Sequence, residues 1–444
     1  MIWIRATLRK VAIVAVLASL LPLLAACSSA EQEEFVSWEP SNVDRPVGTP
    51  GIDPVGTPEQ SVAHQATPPE DVGAIVASVA SPQASVATPA RALSADDLKT
   101  YQPNEIGVIP VMEYHVITTD SQKESDQFVR TADHMREDLQ FLYDHNFYVI
   151  PMRELVRNEI TAPAGKHPVV LTFDDATASQ FRWSKDANGT ITLDPNTAIG
   201  ILEEFFAGHP EFGRGGFFAV LPYNCFADDT PHNTMSDCTD KLKWMAENGY
   251  EIGLHTLEHQ DLLDVTDDEF QRQIGENAIW VDERVSGPGN MSRVLVMPFG
   301  NYPDRDKHPA QRQMMREAFT YKGVHIKLEG ALLVGANPTE SPSSDTFDPI
   351  FIARIQAFKE SLDLWFPQFE HGTVSLYISD GDPNTISVPN EIPEDLAGQF
   401  NADRIAQDGK RLIRYDEKTG EVARSAQNSG KFSVIGNDRT AAHM

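Results

Sequence analysis

The sequence predicts an α/β fold on a mainly parallel sheet, and three observations lead there. Short apolar runs alternate with longer amphipathic segments along most of the chain. One run, Val169–Phe173, is continuously apolar between Pro168 and Asp174, as expected of a strand buried on both faces. Groups of polar residues follow directly on predicted strands, where α/β folds place their chemistry. Taken in order, Ile106–Val111 is a short apolar run, and Met135–His145 has Met135, Leu139 and Leu142 at helical spacing. Thr197–Phe206 reads as a helix, Gly215–Leu221 as a strand, and Lys241–Asn248 as a helix stopped by Gly249. Glu251–Leu254 and Val294–Met297 are further strands, with the long helix Asp267–Val285 between them. Thr373–Ile378 is the last predicted strand. Whether the sheet is open or closed is left undecided by this pattern.

The first residues read as a leader. Arg5, Arg9 and Lys10 precede the apolar run Val11–Leu24, which is too short for a membrane-spanning helix of about 20 residues. The run ends in Leu24-Ala25-Ala26-Cys27, which resembles the lipobox of bacterial lipoproteins and implies cleavage before a lipidated Cys27. A plain secretory signal is the alternative. Residues 27–104 are rich in Pro, Ser, Ala and Thr, cannot bury enough apolar area to offset their ordering, and are expected to be a disordered tether. The repeated Pro-Val-Gly-Thr-Pro at 46–50 and 54–58 suits a semi-rigid spacer. The folded domain is placed at 105–415, with a polar tail at 416–444. The expected location is therefore extracytoplasmic, with membrane contact through the lipid anchor alone.

Composition narrows the partners. The 444 residues carry 36 Lys+Arg against 65 Asp+Glu, a formal charge of −29, which argues against a nucleic-acid partner. Three cysteines are too few for a disulfide scaffold or a cysteine-built zinc site. Outside the cytoplasm, Cys225 and Cys238, which share one polar loop-like segment, are expected to form a disulfide worth about 3 kcal/mol. A monomer is expected.

Three constellations carry candidate chemistry. Leu171-Thr172-Phe173-Asp174-Asp175 puts adjacent carboxylates at a strand end, where one can bind a metal while the other handles a proton; an N-cap pair is the alternative. His255-Thr256-Leu257-Glu258-His259 spaces two imidazoles by four, so that a helix or helical turn would aim both at one ion. The Glu that a zincin needs directly after the first His is replaced by Thr256, so that mechanism is excluded. Val296-Met297-Pro298-Phe299-Gly300-Asn301-Tyr302 makes a turn after a strand that can wall a cleft and present backbone N–H groups. A fourth run, Ser379-Asp380-Gly381-Asp382-Pro383, is read as a turn in preference to a substrate contact.

These segments, in this order, resemble the polysaccharide deacetylase family (NodB-like, carbohydrate esterase family four) over about residues 106–390. The resemblance implies a distorted (β/α)7 barrel and metal-dependent removal of acetyl groups from the sugars of an extracellular or cell-wall polysaccharide. It implies Asp175, His255 and His259 as ligands of a divalent ion, most naturally Zn2+, and Asp174 as general base. Pro298, Phe299, Gly300 and Asn301 would line the substrate and oxyanion side. The chain departs from the family pattern in two places. Val296 occupies the position of an Arg that orients the base in many members, and Val374–Ile378 lacks the late acid histidine. Val111-Met112-Glu113-Tyr114-His115 resembles the Tyr-His strand end of the poly-N-acetylglucosamine branch, whose motif order is permuted and which lacks that Arg; this implies His115 as the general acid, with His371 as the substitute. An O-acetyl esterase using the same site and an inactive glycan-binding lipoprotein are the competing functions.

Overall fold

The structure is a computed structural model that describes residues 92–423. The predicted leader, Cys27, the tether up to residue 91 and the tail beyond 423 lie outside the described residues.

Seven parallel strands form one curled sheet: β1 (Val111–Tyr114), β2 (His167–Phe173), β3 (Phe217–Val220), β4 (Glu251–Leu254), β5 (Asn290–Val296), β6 (Gly330–Leu332) and β7 (Ile355–Gln356). Pairing runs β6-β5-β4-β3-β2-β1-β7. The two ends meet: Leu332 bridges Ile352, and the Leu333 N–H donates to the Ile352 carbonyl at 3.0 Å. The result is a closed, distorted (β/α)7 barrel. A short strand, Phe147–Val149, pairs with the N-terminal half of β2, and Val149 bridges Gly213 ahead of β3. It therefore wedges the barrel wall open at the end away from the strand C-termini.

Helices cover the outside: α1 (Ala132–Asp144), α2 (Ala198–Gly208), α3 (Cys238–Glu247), α4 (Asp267–Asp282), α5 (Pro309–Arg316) and α6 (Lys359–His371). Their starts follow from local chemistry. Thr131, Thr197 and Thr266 cap α1, α2 and α4 by accepting a backbone N–H three residues on, and α4 adds Asp267, Asp268 and Glu269 to its first turn.

Strand parity sorts the side chains into two cores. Met112, Leu171, Phe173, Phe218, Val220, Ile252, Leu254, Leu295 and Ile355 face outward and pack under the helices. Val111, Val170, Phe217, Val294 and Leu332 face inward and fill the lower barrel. The same inward rows continue at the C-terminal end as buried Glu113, Thr172, Asp174, His255 and Arg354. The barrel is thus apolar below and polar on top.

Several expectations need correction. The run at 106–111 only leads into the barrel, since β1 begins at its last residue and extends to Tyr114. Thr373–Ile378 is no strand: Leu376 and Ile378 make isolated bridges to Val108 and Asn104, because this segment passes beneath the barrel. The seventh strand is β7, which was not anticipated. Residues 92–104, assigned to the tether, contain a helix at Ala95–Tyr101 closed by a Ser94/Asp97 capping box, with Leu98 buried. Its packing against the domain overrides the composition of that stretch. The first residues of the predicted tail are also ordered, with Val422 bridging Tyr415.

The interior has no slack at β4. A Cβ on Gly253 would collide with the Phe217 ring, which fills the barrel beside it. Gly253→Ala is expected to lower stability by about 1–3 kcal/mol. Thermal unfolding checks this, and adding Phe217→Leu should restore part of the loss.

Candidate active site

Asp174 leaves β2 on the inward row, its N–H donating to the Tyr114 carbonyl at 2.9 Å. Directly after it the backbone turns left-handed, with φ +76° at Asp175 and +51° at Ala176. This reversal is why two adjacent carboxylates point to different partners. Asp175 Oδ1 lies 3.2 Å from His255 Nε2 and 3.5 Å from His259 Nε2. These three residues place one ligand atom each within 4.8 Å of one another.

The two histidines reach one point without a helix. Residues 255–259 form an irregular turn in which Thr256 and His259 have φ of +65° and +53°. The helical expectation from the spacing was wrong; two left-handed residues fold the loop back instead. Glu258 faces the other way and pairs with Arg272 at 2.5 Å. His255 is locked on both sides: its backbone N–H donates to Asn277 Oδ1 at 2.9 Å, and Nδ1 meets the Val296 carbonyl at 3.0 Å. With Nδ1 committed to that carbonyl, Nε2 is the nitrogen left facing Asp175. Burial and the neighbouring His255 push His259 down to about 4, so that ring is neutral. Burial pulls His255 down as well, but the bond to Asp175 and the charge of Asp174 outweigh it and hold it above its ordinary value. Asp175 stays ionised, because its contacts with His255 and His259 more than offset its burial. Two imidazoles and one carboxylate are the donor set of an open zinc site, so these residues fit a divalent ion.

Asp174 belongs to a second cluster. Arg354, fully buried, clamps it with both arms, Nη1 to Oδ1 at 2.9 Å and Nη2 to Oδ2 at 2.8 Å. The same guanidinium donates to Thr172 Oγ1 at 3.1 Å and to the Leu333 carbonyl at 2.6 Å, and faces Glu113 Oε2 at 3.3 Å. Burial alone would raise Asp174, but Arg354 brings it below the ordinary carboxylate value. Burial also raises Glu113, and there it prevails over Arg354 and His115. His115 Nε2 lies 3.6 Å from Asp174 Oδ2 and 3.8 Å from Glu113 Oε1, with the Phe128 ring edge-on against the imidazole. Glu113, His115 and Asp174 could geometrically hold an ion. The guanidinium on both carboxylates makes this a proton-handling cluster instead, since it already supplies the cation.

The turn after β5 forms one wall. Phe299, φ +59° and 44% exposed, stands edge-on to His259 with ring centroids 4.6 Å apart. Gly300 lies at φ +68° close against Val334. Pro298 is buried. Asn301 does not serve as an oxyanion donor: its N–H donates to the Pro298 carbonyl and its side chain to Asp261. Tyr223, 54% exposed, completes the rim beside Asp175.

Other predicted residues lie elsewhere. His371 is exposed at the end of α6 and its ion-pair neighbour is Glu370, so it takes no part in the site. Asp380 and Asp382 build a turn near the start of β2, at the barrel's opposite end. There Asp380 accepts from Thr385 and Ser387 side chains, and Asp382 from Asn384. Cys225 and Cys238 are joined in a disulfide.

Arg354 and Glu113 were not singled out from the sequence. The Arg missing at Val296 is supplied from the approach to β7, by a lone charge inside the apolar run Phe351-Ile352-Ala353-Arg354-Ile355. That isolated cation was the one available signal. Val296 itself contributes its carbonyl to His255.

A search of curated proteins returns no match. Among solved structures, the chain is similar to the Streptococcus pyogenes deacetylase PplD in complex with acetate, at 17% identity over 57% of this chain and 93% of that one, with a TM-score of 0.41. It is also similar to a de-N-acetylase from Aggregatibacter actinomycetemcomitans (15%, 58% and 99%, 0.40) and to IcaB from Ammonifex degensii (13%, 60% and 97%, 0.39). Over residues 221–317, which carry the His255–His259 turn and the Pro298–Gly300 wall, the chain matches the model of the polysaccharide deacetylase family, the family that its motifs resemble.

Proposed function

We infer that this chain is a metal-dependent deacetylase that hydrolyses N-acetyl groups on sugars of an extracytoplasmic polysaccharide, held at the membrane by lipid on Cys27. The observation that carries the reading is the division of labour between two consecutive carboxylates. Asp175 faces two imidazoles, and Asp174 is gripped by Arg354 beside His115. A divalent ion held by Asp175, His255 and His259 would supply Lewis acidity toward water and an acyl carbonyl. Asp174, kept ionised and aimed by Arg354, takes the proton from the attacking water. His115 gives a proton to the departing amine, so that an N-acetyl group and water become acetate and a free amine. Phe299 closes the site on the His259 side and limits where the acetamide can lie.

Acetate release from N-acetylglucosamine oligomers should be abolished by a chelator and restored by Zn2+. Release from O-acetylated xylan alone would favour the esterase, and release from neither would overturn the enzyme reading. Asp174→Asn should lower kcat about 10²–10⁴-fold while zinc affinity stays near that of the wild type. Arg354→Lys keeps the charge but loses the fork, and should cost roughly 10–100-fold in kcat with little change in KM. Cys27→Ala should move the protein from the membrane fraction to the soluble one.

A further inference from the structure

We propose that the loop between β3 and α3 clamps the metal-binding turn, with Asn224 positioning the backbone of Asp175 and the Cys225–Cys238 disulfide holding Asn224 in place. The inference rests on the metal-site reading above.

The turn at Asp175 and Ala176 is uphill for the chain, because two consecutive L-residues occupy left-handed backbone. Such a conformation persists only where its surroundings over-determine it. Here both carbonyls of the turn are held from one place. The Asn224 side-chain amide donates to the Asp175 carbonyl at 3.0 Å, and the Phe226 N–H donates to the Ala176 carbonyl at 2.7 Å. The two donors flank Cys225.

The clamp is itself strained, since Cys225 and Phe226 lie at φ +34° and +58°. It is fixed from α3. Cys238, the first residue of that helix, carries the other half of the disulfide. One turn later the buried Lys241 donates from Nζ to the Phe226 carbonyl at 2.6 Å and the Phe181 carbonyl at 3.0 Å. A covalent bond and a buried ammonium therefore pin residues 225–226 to a helix. Those residues in turn hold the peptide that carries a ligand carboxylate. Loss of the clamp lets the turn relax toward ordinary backbone, which swings Oδ1 of Asp175 away from the two imidazole nitrogens.

The test uses the full chain and measures Zn2+ affinity by competition with a chromophoric chelator. It is paired with the visible spectrum of the Co2+ form and with thermal unfolding. Asn224→Ala, Asn224→Asp (the same shape without the donor) and Cys225→Ala/Cys238→Ala should each weaken zinc binding about 10–100-fold and alter the cobalt spectrum. Arg153→Met is the control: it strips the ion pair from buried Glu251 at the far end of β4 and should lower Tm without changing zinc affinity. If the double cysteine variant does not fold, Asn224→Asp carries the test alone. Unchanged zinc affinity in Asn224→Asp overturns the clamp while leaving the metal site standing. Absence of zinc binding by the wild type overturns the metal site, and the clamp with it.

Discussion

The buried guanidinium of Arg354 is the interaction on which both the barrel and its site depend. It reaches the Leu333 carbonyl just past β6, Thr172 on β2, Asp174 directly after it, and Glu113 on β1. One side chain thus spans the seam where the first strand, the last strand and their neighbours meet. A fully buried charge is tolerated only when it is paired and its donors are satisfied, and Arg354 meets both conditions. The dependence runs in both directions. Without Asp174 and Glu113 the guanidinium would be an uncompensated charge inside a protein core. Without Arg354 the two carboxylates would face each other across the barrel mouth.

This arrangement follows from alternation along short strands. Inward rows are apolar in the lower barrel and turn polar at the upper ends of β1, β2 and β4, so the site sits on a packed floor of Phe217, Val170 and Val294. Glu113 pairs in register with Thr172 on one side and Gln356 on the other. A slip of one residue would send each of these polar groups into the helix-facing core. Register is therefore enforced by the cost of misplacing the site, in addition to the cost of misplacing the apolar side chains.

What could be read from the sequence were the features contiguous in the chain. Asp174-Asp175 and His255…His259 stood out because their spacing is local, and the strands leading into them are apolar and continuous. Arg354 and Glu113 did not, because their significance lies in Arg354 meeting Asp174 and Glu113, 180 and 241 positions away. β6 and β7 were hidden for a related reason: they are three and two residues long, and polar or small residues interrupt their apolar runs. Thr373–Ile378 shows the opposite error, since a strand-like composition there yields only isolated bridges under the barrel. The histidine spacing was read as helical, whereas left-handed residues inside the turn achieve the same convergence.

The charge pattern within the site distinguishes the roles of its carboxylates more sharply than their positions do. Arg354 matches the charge of Asp174, and burial drives Glu113 toward its neutral form. Asp175 is left as the ionised carboxylate with no Arg or Lys in ion-pair contact among the described residues, facing the Nε2 atoms of two imidazoles. Such a carboxylate is costly in a half-closed site unless a cation shares it. The backbone spends conformational energy to create this situation, turning left-handed at Asp175 so that it escapes the guanidinium that holds Asp174. A continued strand would have placed Asp175 on the outward row under the helices. The strained turn is therefore what converts a repeated residue into two chemically different groups.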